Sequence, residues 1–174
     1  MAGTGRDRRL VLLRHAKSAW PHGVPDHERP LTGKGRRNAK ATGRWFAQEG
    51  PTPDLVLCSD AVRAQHTWEI VAAALPAQPR VRVEPELYGA RADDVLALVR
   101  ALPTEVRTVV VVGHEPTMSS TTLTLAGKGS VPAALRRVRE KYPTTGVAVL
   151  RFRGPWSGLE RGGTALEVFA VPRA

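Results

Sequence analysis

Two arginines and two histidines stand at equivalent places in this chain. Arg14-His15 directly follows the apolar run Leu10-Val11-Leu12-Leu13. Ser59-Asp60 follows the run Asp54-Leu55-Val56-Leu57-Cys58, with Arg63 one helical turn further on, and Gly113-His114 closes the run Thr108-Val109-Val110-Val111-Val112. Arginine offers a planar fork of donors that matches two oxygens of a phosphoryl group. Histidine changes charge near neutral pH and serves as nucleophile, acid or base. Taken singly, each residue has a plainer reading: Arg14-His15 as a surface pair, Arg63 as a helix-surface charge, His114 as a core histidine bonded to a carbonyl. Set at the ends of three successive apolar runs, the four together predict one anion pocket suited to a phosphoryl group.

The elements that must position them are readable from periodicity. Short runs that are apolar on every residue fit strands buried on both faces of a parallel sheet. Between them lie segments with helical spacing: about 33–48, opened by the cap candidate Thr32 and closed by Gly50; a stripe of Ala64, Trp68, Val71 and Leu75 after the cap candidate Asp60; and about 92–102, with Val95, Leu98, Val99 and Leu102 together. Pro116 suits the first turn of a further helix reaching about Leu125, and Arg136 to Lys141 reads as an exposed helix or turn. Residues 146–150 and 164–171 look like two strands joined by a Gly- and Pro-bearing loop, an antiparallel pair on one side of the sheet. The predicted fold is therefore α/β: one three-layer α/β/α domain over residues 1–174, mainly parallel, with an antiparallel C-terminal strand pair. Residues 1–8 read as a flexible N-terminal segment. In such sheets ligands bind beyond the carboxyl ends of the strands, where all four residues fall. Helices starting near Asp60 and Pro116 would also aim backbone N–H groups at that edge.

Composition narrows the function classes. With 174 residues, 42% apolar and 24% charged, the chain has enough material for one core and is not of disordered type. No stretch has the length of a signal or a membrane span, and Cys58 stands alone, so no disulfide framework exists and a cytoplasmic location is expected. The net charge of +10 raises the question of nucleic acid. Residues 1–50 hold 11 Lys/Arg against 4 Asp/Glu, whereas 51–100 hold 5 against 7. That basic first third is either a solvated surface or an attractor for phosphorylated substrates. Aromatics are only 5% and do not alternate with basic residues as stacking platforms require, so nucleic acid is not the expected partner. His22, His27 and His66 lack a Cys or carboxylate at ligand spacing, and no metal or cofactor is expected.

Three motifs carry a resemblance. Leu-Arg-His-Ala at 13–16, Ser-Asp-Ala-Val-Arg-Ala-Gln-His-Thr at 59–67 and Gly-His-Glu-Pro at 113–116, with Arg-Pro-Leu-Thr-Gly-Lys-Gly at 29–35, resemble the histidine phosphatase superfamily, of phosphoglycerate-mutase-like fold. Small size and the lack of a large insertion between the second and third apolar runs resemble its phosphohistidine phosphatase, SixA-like branch. The resemblance implies that His15 is a nucleophile forming a phosphohistidine intermediate, and that Arg14, Arg63 and His114 bind the phosphoryl oxygens. It implies no metal. The substrate would be protein phosphohistidine. The alternatives are a small phosphorylated metabolite (sugar phosphate or nucleotide) or a non-catalytic phosphate- or nucleic-acid-binding module. Ser18 and Arg29, in and beside the loop after the nucleophile, are candidates for substrate contact.

Two positions depart from the family pattern. Ala16 stands where Gly usually follows the histidine. Leu87 is followed by Tyr88-Gly89-Ala90, where many members carry a glutamate that protonates the leaving group. Glu86 and Asp93 are the nearby substitutes, each with an alternative reading as a solvated carboxylate. A missing acid penalises alkoxide leaving groups far more than an imidazole that already carries a proton, which favours an N–P bond as the target.

Overall fold

The computed structural model describes residues 7–174. Residues 1–6 of the expected flexible segment lie outside the described residues. Arg8 does not belong to such a segment, because it opens the first strand. Its guanidinium is buried and donates to the carbonyls of Gly154 (2.5 Å) and Thr104 (3.0 Å), while Asp7 pairs with Arg153.

Six strands form one sheet: β1 (Arg8–Arg14), β2 (Leu55–Cys58), β3 (Arg80–Val83), β4 (Thr108–Gly113), β5 (Val147–Phe152) and β6 (Ala165–Ala170), in the order β3-β2-β4-β1-β5-β6. The first four in that order run parallel; β5 and β6 add an antiparallel pair beside β1. Every residue of β2 and positions 10–13 and 109–113 of β1 and β4 are buried, as the unbroken apolar runs require. Successive side chains point to opposite faces. Leu10, Leu12, Leu57, Val109 and Val111 pack on one side with Val95, Val99, Met118 and Val138. Val11, Leu13, Val56, Val110 and Val112 pack on the other with Phe46, Trp68 and Val71. Each such aliphatic contributes about 1.5–3 kcal/mol by leaving water.

The helices α1 (Gly33–Gln48) and α2 (Val62–Ala72) therefore cover one face, and α3 (Ala92–Arg100), α4 (Thr117–Leu125) and α5 (Pro132–Glu140) the other. Thr32 caps α1 as expected, its hydroxyl accepting from the Gly35 N–H at 2.9 Å. Asp60 does not cap α2. The cap position is Ala61, whose N–H goes to Ser59 Oγ at 3.3 Å, and Asp60 Oδ1 lies 3.1 Å from His27 Nε2 instead. β3 has no apolar run to announce it: its sequence is Arg-Val-Arg-Val, and all four residues are exposed at the sheet edge. Among the described residues no helix is long and apolar enough to cross a membrane.

Register does the work of assembly. Arg14 pairs with Gly113 across β1 and β4, and Cys58 with Val112 across β2 and β4. Three adjacent strands thus end at one level, and the residues that follow them emerge side by side. The His15 N–H donates to Gly113 O and the Ser59 N–H to Val112 O, both at 3.0 Å, carrying the pairing one step past each strand.

Candidate active site

Beyond the strand ends lies a cavity of about 330 Å³ lined by Arg14, His15, Lys17, Ser18, Trp20, Arg29, Arg63, His114, Glu115 and Thr144. All four residues at the strand ends are there, with the rings of His15 and His114 5.2 Å apart.

His15 is buried, and its Nδ1 lies 2.7 Å from the Ala16 carbonyl. A carbonyl only accepts, so Nδ1 carries the proton and Nε2 keeps its lone pair. Burial pushes the His15 imidazole down to about 3 despite the opposing pull of the Ala16 carbonyl; His114, Arg63 and Arg14 push in the same direction as burial. The ring is therefore neutral at physiological pH. The loop bearing it is pinned from below, where the Ala16 N–H donates to Thr67 Oγ1 (2.9 Å), which itself donates to Arg63 O (2.6 Å). Gly35 lets α1 approach that loop, since a Cβ there would sit 2.1 Å from Lys17 O. From the other side, Thr145 donates its N–H to the carbonyls of Arg14 (3.1 Å) and His15 (3.3 Å). Thr145 does so at φ 58, a strained region for a β-branched residue.

His114 is held by Ser59. The Ser59 Oγ accepts the Ala61 N–H and lies 2.8 Å from His114 Nε2. Having accepted from Ala61, the Ser59 hydroxyl is placed to donate to Nε2, the arrangement in which the His114 proton sits on Nδ1. Burial first, then the charge of Arg63, lower His114 to about 4, so it too is neutral. Arg63 donates to the Asp26 main-chain oxygen (2.7 Å) and to Asp26 Oδ2 (3.2 Å), and Arg14 donates to Tyr142 O (2.8 Å). The Asp26 carboxylate also receives the Tyr88 hydroxyl and Arg29 Nε, and these bonds, the one from Tyr88 foremost, hold it at about 2. Among the described residues nine buried side-chain atoms have no partner, and three of them, Arg14 Nε, Arg63 Nε and His114 Nδ1, belong to residues that line this cavity. Three donors of this kind on residues sharing one cavity could serve the oxygens of an anion.

Comparisons with known proteins give the family. A family model described as the histidine phosphatase superfamily (branch 1) matches residues 10–89. An uncharacterised protein of Mycobacterium tuberculosis, Rv1276c, is 43% identical over 162 residues, which is 92% of this chain and 100% of its own. The chain belongs to the histidine phosphatase superfamily. Within it the SixA-like branch is the match. A solved structure assigned as phosphohistidine phosphatase SixA from Nakamurella multipartitia has 37% identity and a TM-score of 0.84, covering 97% of this chain and 98% of its own. The protein histidine phosphatase SixA solved with tungstate has 25% identity and a TM-score of 0.76, covering 94% and 97%.

For this histidine phosphatase, the structure gathers Arg14, His15, Arg63, His114, Ser18 and Arg29 at one cavity. It does not bring the two substitute acids there. Glu86 is exposed on the turn 85–87, and Asp93 pairs with Arg161 at 3.0 Å beside a different cavity. The helix ends also differ from expectation. At the start of α4 the Ser119 N–H is taken by Glu115 Oε1 (2.6 Å) and the Met118 N–H by His114 O (3.0 Å), so neither is left for an anion. Glu115, within the Gly-His-Glu-Pro motif, was not singled out from sequence, nor were Ser59, Asp26 and Trp20. Ser59 follows its strand directly, as His15 and His114 follow theirs, a signal that pointed to it. Asp26 carries no such mark, because its role depends on how the loop between β1 and α1 folds back. Among the described residues no group of three or more His, Cys, Asp or Glu is placed to hold a metal ion.

Proposed function

We propose that the whole chain acts as one catalytic unit, a cytoplasmic phosphohistidine phosphatase that works through a phosphoryl group carried on His15. The observation behind this reading is the trio of unpartnered donors, Arg14 Nε, Arg63 Nε and His114 Nδ1, around a neutral histidine whose Nε2 lone pair is free. The SixA relative solved with tungstate, a tetrahedral oxyanion, belongs to the same fold.

In the first step the His15 Nε2 lone pair forms a bond to phosphorus while the bond from phosphorus to the substrate's ring nitrogen breaks. The electron pair returns to that nitrogen, and a substrate ring protonated on its far nitrogen leaves as neutral imidazole. Arg14, Arg63 and His114 hold the equatorial oxygens as charge shifts through the in-line transition state. In the second step water attacks phosphorus and the P–Nε2 bond breaks. One water proton stays with the new P–O–H group and the other moves to a phosphate oxygen, releasing dihydrogen phosphate. Throughout, Nδ1–H stays on the Ala16 carbonyl, so His15 also departs as neutral imidazole. The same bond that frees the lone pair for attack makes His15 a good leaving group.

Neither step needs a carboxylic acid. Among the described residues the carboxylate lining the cavity is Glu115, and both its oxygens are occupied by Ser119, through its N–H (2.6 Å) and its hydroxyl (2.7 Å). A site so built favours imidazole over an alkoxide as leaving group. Ser18 and Arg29 are the rim contacts for substrate, and Arg29 is fixed by Asp26, Ser18 and Ala19.

The test is phosphate release by the purified protein from a phosphohistidine peptide and from a panel of sugar phosphates and nucleotides. Turnover of the peptide that disappears in His15→Ala, with little on the panel, is the expected result. Rapid turnover of one alkyl phosphate with none on the peptide reverses the substrate assignment.

A further inference from the structure

Trp20 is 78% exposed although it lines the cavity with His15. A singly exposed apolar side chain is ordinary on a protein surface, so what sets Trp20 apart is its place in the wall of the cavity that holds His15. Nor is Trp20 loosely placed. The Arg29 guanidinium lies 3.4 Å from the centroid of its ring, and that guanidinium is immobile: Arg29 is buried, with Nε on Asp26 Oδ1 (3.0 Å) and Nη1 on Ser18 Oγ (2.9 Å) and Ala19 O (3.2 Å). One face of the indole is therefore occupied by a fixed cation, and its exposure belongs to the rest of the ring. The orphan donors place a phosphoryl group at Arg14, Arg63 and His114, and an in-line attack sends the leaving group away from His15 toward the cavity mouth. Trp20 and Lys17, both exposed, stand at that mouth.

We infer that Trp20 is a specificity-determining platform on which a flat aromatic leaving group, joined directly to phosphorus through nitrogen or oxygen, stacks during transfer. The inference rests on the reading of His15 as nucleophile and adds the part of the substrate beyond phosphorus. Imidazole in phosphohistidine and phenol in phosphotyrosine share the required flatness; inorganic phosphoramidate and phosphoserine have no ring to offer. Stacking between an aromatic side chain and a flat ring is worth about a tenfold effect or more. It acts on positioning of the ring, so it appears in kcat/KM only for substrates that carry one.

The experiment compares the parent with Trp20→Ala and Trp20→Phe on a phosphohistidine peptide, a phosphotyrosine peptide and inorganic phosphoramidate. The expected result is a loss of kcat/KM in Trp20→Ala about tenfold greater on the ring-bearing substrates than on phosphoramidate, with most of it restored by Trp20→Phe. If the loss is on the histidine peptide alone, the platform serves imidazole; if on both peptides, it serves rings in general. An equal loss on all three would make Trp20 a prop for Arg29 and overturn the inference, as would no loss on any. A parent that releases phosphate from phosphotyrosine but from neither N–P substrate refutes the phosphohistidine reading while still testing Trp20 through the tyrosine arm.

Discussion

Replacing His15 by Asn removes one titratable group and keeps an N–H to donate to the Ala16 carbonyl, so it isolates the energetic signature of a neutral, buried histidine. In the folded protein His15 binds a proton only near pH 3, whereas the unfolded chain binds it near the ordinary value of 6.5. Between those limits the unfolded state holds one more proton, so stability falls as pH falls, and above 6.5 the two states do not differ. Each pH unit inside the window is worth about 1.4 kcal/mol, and the whole interval about 5 kcal/mol. Urea unfolding followed by tryptophan fluorescence from pH 8 to pH 4.5 measures the accessible part. His114, held at about 4, contributes a similar slope to both proteins and cancels in the difference. Parent minus His15→Asn should be flat above pH 7 and decline by about 1.4 kcal/mol per unit below 6. Parallel curves would mean that His15 takes a proton at its usual pH in the folded state, and the argument for a ready lone pair would be refuted.

Other consequences follow from single contacts. Ser59→Ala removes the hydroxyl that fixes the His114 proton on Nδ1; kcat should fall about tenfold, and nitrogen NMR of His114 should show a mixture of tautomers in place of one. Gly35→Ala drives a methyl against Lys17 O, where the gap is 2.1 Å; a loss of about 1–3 kcal/mol in stability is expected, with lower kcat because the His15 loop is displaced. Asp26→Ala removes the carboxylate that accepts from Arg63 Nη2 and Arg29 Nε while leaving the main-chain bond to Arg63 in place; kcat/KM should drop about tenfold while the melting temperature changes little, since the Asp26 carboxylate is half exposed.

Much of this architecture was legible because its central strands are buried on both faces. Leu10–Leu13 and Val109–Val112 have no polar position to interrupt them, and their ends declare where a ligand must lie. β3 was invisible for the opposite reason: at the sheet edge its alternating arginines and valines all face solvent, so no burial pattern reaches the sequence. Thr32 was recognisable as a cap because capping is local, whereas Asp60 has a capping residue's identity without its geometry. The supporting residues were harder to read. Asp26 reaches Arg63 across 37 positions, Tyr88 reaches Asp26 across 62, and Arg14 is anchored by Tyr142 across 128. Contacts of that span are set by tertiary placement of loops, which neither periodicity nor motif spacing encodes. The absence of an acid after Leu87 was visible, and the structure adds that neither Glu86 nor Asp93 lines the cavity to replace it.

The most direct test is rapid acid-free quenching of the protein during turnover of a phosphohistidine peptide, followed by mass spectrometric mapping under alkaline conditions that preserve N–P bonds. A phosphoryl group on His15 that forms within the first turnover and disappears as inorganic phosphate is released is the predicted result. Steady release of phosphate with His15 never modified would contradict it, for water would then be attacking the substrate without a covalent carrier.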